Sequence, residues 1–210
     1  MLVLASLSAQ SQELRFGKLD LTSGLGNPMV HQVCQDQEGF MWAATGNGLY
    51  RYDGIRWRAF LHDPLDSSSL SHNHIRTILV DKAGFIWAGT SGGGLNRIHP
   101  HTYQITRFYH DSTHTNSLSN NEVLSLLEDR DGQLWVGTEQ GVNRLTQDRS
   151  EWSRFLQTDK QAGSFQGTSA LCLLEDQDGF IWIGPWDGGL NVCINPQESS
   201  SSVRFKHFLH

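Results

Sequence analysis

The residues of this sequence best suited to ligation or proton transfer are histidines and aspartates. His72 and His74, and again His99 and His101, stand one residue apart, and each pair could offer two imidazoles to a metal. Zinc takes three or four such ligands. The first pair precedes an apolar strand and the second follows one, so they fall at opposite ends of the element they flank and cannot share a site. Two acidic turns, Asp129-Arg-Asp131-Gly132 and Asp176-Gln-Asp178-Gly179, resemble small calcium loops. Calcium needs about six to eight oxygens, and neither turn is followed by the further spaced ligands or the distal glutamate of such a loop. Both read as hairpin turns capped by aspartate. The glycine-rich Gly89-Thr-Ser-Gly-Gly-Gly94 joins strand to strand with no helix after it, so it lacks the helix-terminus anion site. Serine and histidine are plentiful, but no nucleophile elbow accompanies them. No metal, cofactor or catalytic set is expected. Trp57 and Trp152 read as outer-strand packing, with sugar stacking as the functional alternative.

The acidic turns belong to a longer pattern. Asp36-x-x-Gly39-x-x-Trp42, Asp81-x-x-Gly84-x-x-Trp87, Asp129-x-x-Gly132-x-x-Trp135 and Asp176-x-x-Gly179-x-x-Trp182 recur in order, the indoles at steps of 45, 48 and 47 residues. A fixed period of roughly 20–50 residues marks a repeat architecture. In each copy a short apolar strand runs into Asp-x-x-Gly, where the aspartate bonds nearby backbone and glycine tolerates positive φ, giving a tight hairpin. The next strand, such as Phe85-Ile-Trp87-Ala-Gly-Thr90, is apolar on both faces, which requires cover on both sides. A third strand opens at Gly48-Leu49, Gly94-Leu95, Gly141-Val142 and Gly189-Leu190, and fourth strands carry Phe60, Phe108, Phe155 and Phe205. Four short antiparallel strands per repeat of roughly 40–50 residues describe a β-propeller blade, with the indole where two blades meet.

Composition fits an all-β, turn-rich globular chain: 210 residues, 38% hydrophobic, 21 glycines and a net charge of −6. The acidic balance argues against a nucleic-acid surface, and scattered charge supplies no polybasic membrane patch. Cys34, Cys172 and Cys193 read as buried strand residues. Residues 1–12 are short, apolar and end in small side chains, resembling the later part of a secretory signal peptide whose charged start is missing. No stretch approaches 18 apolar residues, so no transmembrane helix is expected.

Blades are expected at about residues 29–62, 74–110, 122–157 and 169–208, joined by polar loops. Ser69-Leu-Ser-His-Asn73 and Ser117-Leu-Ser-Asn-Asn121 repeat one phrase, which predicts one repeated loop conformation. Residues 14–18, around Phe16, look like a fourth strand with no repeat in front of it, suited to closing the last blade of a ring. Since four blades already use every other strand, this surplus strand predicts an incomplete arc of a larger ring.

The phrase from Asn116 to Arg144, with Asp-x-x-Gly-x-x-Trp-x-Gly-Thr followed by Gly-Leu-x-Arg, resembles the two-component regulator propeller repeat, and the resemblance extends from about Phe16 to Phe208. Departures are Ala44 for the glycine before threonine, Val142 for leucine, Pro185 for threonine, and Val192 at the place of Arg51, Arg97 and Arg144. The resemblance implies a ring of seven blades in the periplasmic region of a bacterial sensor. A membrane-anchored hybrid histidine kinase or diguanylate cyclase would follow it.

The function expected is a periplasmic ligand-sensing module, non-catalytic in this chain, that takes a small polar solute or carbohydrate. Its partners would be the remaining propeller blades and the downstream kinase or cyclase. Propeller pockets form on the face carrying the loops before inner strands and those joining second to third strands. By position the candidates are Asn27, Asn73, His74, Asn121, Glu122, Glu139, Trp186 and Asp187. The alternatives are an enzyme of streptogramin-lyase type, which would need a convergent acid–base pair on that face, and a protein-interaction scaffold.

Overall fold

The structure is a computed structural model that describes residues 24–25, 29–157 and 163–208. The leader at 1–12, the strand expected at 14–18 and Asn27 lie outside them. Sixteen strands follow in chain order: β1 Val30–Gln35, β2 Met41–Thr45, β3 Gly48–Tyr52, β4 Trp57–Phe60, β5 Ile75–Val80, β6 Ile86–Thr90, β7 Leu95–Ile98, β8 Ile105–Phe108, β9 Val123–Glu128, β10 Leu134–Thr138, β11 Gly141–Leu145, β12 Trp152–Phe155, β13 Ala170–Glu175, β14 Ile181–Pro185, β15 Leu190–Cys193 and β16 Phe205–Phe208. They form four antiparallel meanders of four strands each. The inner strands β1, β5, β9 and β13 lie side by side in that order, as in a propeller.

One carboxylate builds each hairpin. Asp81 Oδ1 accepts the N–H groups of Ala83 and Phe85, at 3.1 and 2.9 Å, while Oδ2 accepts the Trp87 indole N–H at 2.8 Å. The same indole bond runs from Trp42 to Asp36, from Trp135 to Asp129 and from Trp182 to Asp176, at 2.7, 2.8 and 2.6 Å. The turn thereby fixes the side chain that fills the seam. Trp42 packs with Ile75, Ile78 and Ile86 of the second blade, Trp87 with Val123 and Leu134 of the third, and Trp135 with Ala170 and Ile181 of the fourth. These three indoles have no exposed surface; Trp182, with no blade after it among the described residues, is half-buried.

A ring stacks on each indole from the fourth strand, and here the sequence reading needs correction. Phe60, Phe108 and Phe155 lie 5.3, 5.6 and 5.9 Å from Trp42, Trp87 and Trp135. In the last blade the equivalent is Phe208, which pairs with Leu190 and stacks on Trp182 at 6.1 Å. Phe205 pairs instead with Cys193 and packs edge-on against Phe155 and Phe165. Two aromatics three residues apart competed for one position, and only register separates them. Trp152 starts its strand as Phe205 does and is buried against Phe108, as outer-strand packing requires.

The repeated loop phrase gives one conformation twice. Asn73 Oδ1 accepts the His62 N–H and Asn121 Oδ1 the His110 N–H, both at 2.7 Å; Ser69 and Ser117 Oγ accept from Asp63 and Asp111, both at 2.8 Å. The variable residue of Gly-Leu-x-Arg also has a fixed task in three blades. Asn96, Asn143 and Asn191 are fully buried, and their Oδ1 atoms accept the N–H of Ser71, Ser119 and Gln166.

Among the cysteines, Cys34 is half-buried and Cys193 buried, but Cys172 is exposed. Its equivalents Thr77 and Ser125 are covered by the adjoining blade. Cys172 faces outward from the last sheet, so burial by strand position alone fails there.

Candidate functional site

Every blade carries a β-bulge at the same place on its inner strand. Register skips His31 between Val30↔Thr45 and Gln32↔Ala44, Arg76 between Ile75↔Thr90 and Thr77↔Gly89, Leu124 between Val123↔Thr138 and Ser125↔Gly137, and Leu171 between Ala170↔Pro185 and Cys172↔Gly184. A bulged residue leaves the ladder and its side chain is re-aimed. The strand opposite supplies a small residue because space is short. A Cβ on Gly137 would lie 2.2 Å from the carbonyl oxygen of Ala170 and from Ser125 Oγ.

The bulges of three blades meet in an open cleft of about 450 Å³ lined by Arg76, Leu124, Glu139, Thr168, Ser169, Leu171 and Trp186. Leu124 and Leu171 give an apolar wall. Arg76 Nη1 lies 3.1 Å from Glu122 Oε1. Trp186, in the β14–β15 turn, is 79% exposed and presents a large ring at the rim. An exposed indole, a charged pair and apolar walls suit a polar solute with one weakly polar face, and carbohydrates are of this kind.

Four of the expected residues fall on or beside this cleft. Glu139 and Trp186 line it, Glu122 holds Arg76, and Glu122's carbonyl accepts the Glu139 N–H at 3.2 Å. Asp187 Oδ1 accepts the backbone N–H and hydroxyl of Thr168, at 2.8 and 3.0 Å, and so shapes the rim where Pro185 replaces the threonine of other blades. That threonine elsewhere closes the second turn: Thr90 Oγ1 donates to the Gly94 carbonyl at 2.8 Å. His74 lies further round the mouth, 3.0 Å from His31. Asn73 and Asn121 use their side chains within their own loops, and their carbonyls accept from Gly48 and Gly94 of the preceding blade.

Sequence reasoning missed Arg76, Leu124, Leu171 and His31. Their signal is variation: one position reads His, Arg, Leu and Leu in copies that otherwise agree.

The turn aspartates are consumed by turn and indole. His72 and His99 act as turn acceptors, Nδ1 receiving the N–H of His74 and His101 at 3.1 and 3.2 Å. The opposite face is tied by long side chains. Lys82 Nζ donates to the carbonyls of Asp129 and Arg130, and Arg130 Nη2 to those of Asp176 and Gln177.

The family model of the two-component regulator propeller matches residues 24–47, 69–92, 117–140 and 164–187, one segment for each blade. Histidine kinase P4 of Formosa agariphila is 33% identical over 66 residues, which are 31% of this chain and 5% of that protein. The extracellular domain of a protein described as a hybrid two-component system from B. thetaiotaomicron superposes with a TM-score of 0.80 at 26% identity, over 92% of this chain and 26% of that one. A second such domain from the same organism matches at TM-score 0.67 and 23% identity, over 92% of this chain and 27% of its own, a likeness of fold alone. The chain thus spans about a quarter of the solved structures it resembles.

Proposed function

Since the chain belongs to the two-component regulator propeller family, we propose that it is a ligand-sensing propeller module of a bacterial signal-transduction protein, exposed to the periplasm. The observation that carries this reading is the cleft at Arg76, Glu139 and Trp186, where blades two, three and four each contribute a bulged residue. Its ligand is a small polar solute or a carbohydrate, with Trp186 as stacking platform and Arg76 as donor to hydroxyl or carboxylate oxygens. The module binds without turnover: Arg76 is paired with Glu122, and Asp187 accepts from Thr168.

The sheets are a sector of a larger ring whose other blades adjoin both ends. Val33 is 57% exposed on the first sheet and Leu174 63% on the last, at positions where Ile78 and Leu127 lie against a neighbouring blade. A kinase or cyclase beyond the membrane is the partner that reads the bound state. The relatives described as histidine kinase and hybrid two-component system support that setting.

The test is calorimetric titration of the chain with neutral and acidic oligosaccharides and small polar solutes. One ligand class binds, and Trp186→Ala and Arg76→Ala each weaken it at least about tenfold while far-UV circular dichroism is unchanged. Equal binding to both variants, no binder in the panel, or turnover of the ligand overturns the reading.

A further inference from the structure

We propose that His31 and His74 form a bidentate site for a divalent transition metal, copper(II) or nickel(II), bridging the first two blades at the mouth of the axis. The Nε2 atoms of the two rings face each other at 3.0 Å, with ring centroids 5.0 Å apart and planes inclined at 32°. Two metal–imidazole bonds of about 2.0–2.1 Å at a right angle place their nitrogens about 2.9 Å apart, whereas a tetrahedral angle requires about 3.3 Å. The spacing therefore fits two adjacent corners of a tetragonal or octahedral ion. Among common divalent ions in that geometry, copper(II) and nickel(II) have the strongest affinity for imidazole.

The backbone that carries both rings is fixed, and the rings already face each other. His31 is the bulged residue of β1, turned out of the ladder between Val30 and Gln32. His74 is fixed from two sides: its N–H donates to His72 Nδ1 at 3.1 Å, and its carbonyl accepts the Ser91 N–H at 3.0 Å. Metals bind neutral imidazole. Without metal, one Nε2–H donates to the other Nε2. On ligation that proton moves to Nδ1 through solvent, and both Nε2 lone pairs meet the ion. Among the described residues no third His, Cys, Asp or Glu completes the set, so water fills the other positions. The site is thus unlike a closed structural zinc centre, and the occupant exchanges freely.

The proposal is independent of the carbohydrate reading, since neither histidine lines the cleft. The experiment titrates the chain with copper(II) chloride and nickel(II) chloride against a weak chelator, by calorimetry and by electron paramagnetic resonance of the copper form. One equivalent binds with two equatorial nitrogens. His31→Ala and His74→Ala each leave one such nitrogen and weaken binding by at least about tenfold, a loss that even outer partners of a metal ligand can produce. His114→Ala, remote from the pair, binds as the unaltered chain does. Gln at either position, with circular dichroism unchanged, guards against a folding defect. Equal affinity in the His31→Ala and unaltered chains, or a single-nitrogen spectrum in the latter, overturns the proposal and leaves a plain hydrogen-bonded pair.

Discussion

The indole Nε1 of Trp135 donates to Asp129 Oδ2 at 2.8 Å, and the two residues are 0% and 1% exposed. The other oxygen of the same carboxylate accepts the N–H groups of Asp131 and Gln133, at 3.1 and 2.8 Å. One side chain thus closes the hairpin and aims the ring that fills the seam with Ala170, Ile181 and Ile183. Asp129→Ala removes four accepted hydrogen bonds at once, the fourth from Gln133 Nε2 to Oδ2 at 3.0 Å, and strands a buried indole N–H. It should cost about 3 kcal/mol. Asp176→Ala should cost less, because Trp182 is half-buried and water can take the place of the carboxylate. Urea unfolding of both variants checks this. A larger loss for Asp176→Ala would contradict the seam as the source of the effect.

The seam and the blade were legible because their parts repeat. Asp-x-x-Gly-x-x-Trp states a turn and a large ring at fixed spacing, and the structure uses all three residues in every blade. The Asp–Trp bond itself was not read, since a six-residue separation across a hairpin shows no pattern of its own. The site was legible as a face and not as residues. Glu139, Trp186 and Asp187 follow from turn position, but Arg76 and His31 point into the mouth only because a bulge shifts register there, and alternation along the strand hides that shift. Phe205 was taken for Phe208 for the same reason: composition names the ring, and register assigns it.

The glycines opposite the second and third bulges, Gly89 and Gly137, should be hard to replace. A Cβ at Gly137 would meet the Ala170 carbonyl and Ser125 Oγ, both at 2.2 Å, and the first is backbone of the next blade. Gly137→Ala must push two blades apart and should cost about 1–3 kcal/mol. At Ala44 the first blade already carries a methyl group, fully buried among Trp42, Leu49 and Ile75. Ala44→Gly should therefore lose packing without relieving strain, a smaller change. Thermal unfolding of the two variants separates the cases, and a stabilised Gly137→Ala protein would refute the close approach.

Stability should fall in acid by a route the turns define. The pKa of Asp176 is held down first by the Trp182 indole; burial opposes it next, and the N–H groups of Phe180, Asp178 and Gly179 lower it further. Asp53, Asp66, Asp111 and Asp148 are lowered by similar turn donors, and Asp187 by the N–H and hydroxyl of Thr168. Each binds a proton less readily folded than unfolded. Its contribution is complete above the unfolded value of about 3.9 and disappears as pH drops through the lower folded value. His74, a base with a lowered pKa, adds a shallow decline as pH drops below 6.5. The melting temperature measured from pH 7.5 to 2.5 should slope gently below 6.5 and steeply below about 4. A flat profile down to pH 2.5 would remove the turn carboxylates from the account.

The three thiols should differ in reactivity. Burial, with help from Asp36, pushes the Cys34 thiol up to about 12, and burial pushes Cys193 up to about 11. Little thiolate exists at either near neutral pH, and the thiolate is the reacting form. Cys172 is exposed on the last sheet. Brief treatment with iodoacetamide at pH 8 should alkylate Cys172 first, as read by peptide mass spectrometry. Equal labelling of all three would mean that the sheets open faster than the reagent reacts.

The outer faces of the first and last blades should make the isolated chain associate. Val33, at 57% exposed, and Met29, at 60%, lie on or beside the first inner strand; Leu174, at 63%, and Phe208, at 51%, lie on the last sheet. Between blades, equivalent positions hold the partners of a seam: Leu127 packs beside Trp135, and Ile78 beside Trp42. The face that ends the fourth blade is therefore built like the one the third presents to the fourth, and the face that starts the first is built like the one the second presents to the first. Such surfaces fit one another head to tail, a heterologous contact that closes into rings or continues into filaments. Sedimentation should show mass rising with concentration, and Val33→Glu with Leu174→Glu should restore a monomer by placing charge in the seam. Cys172 should become slower to alkylate as the unaltered chain is concentrated, because docking covers it. A monomer at every concentration, with Cys172 equally reactive throughout, would show that these faces need no partner.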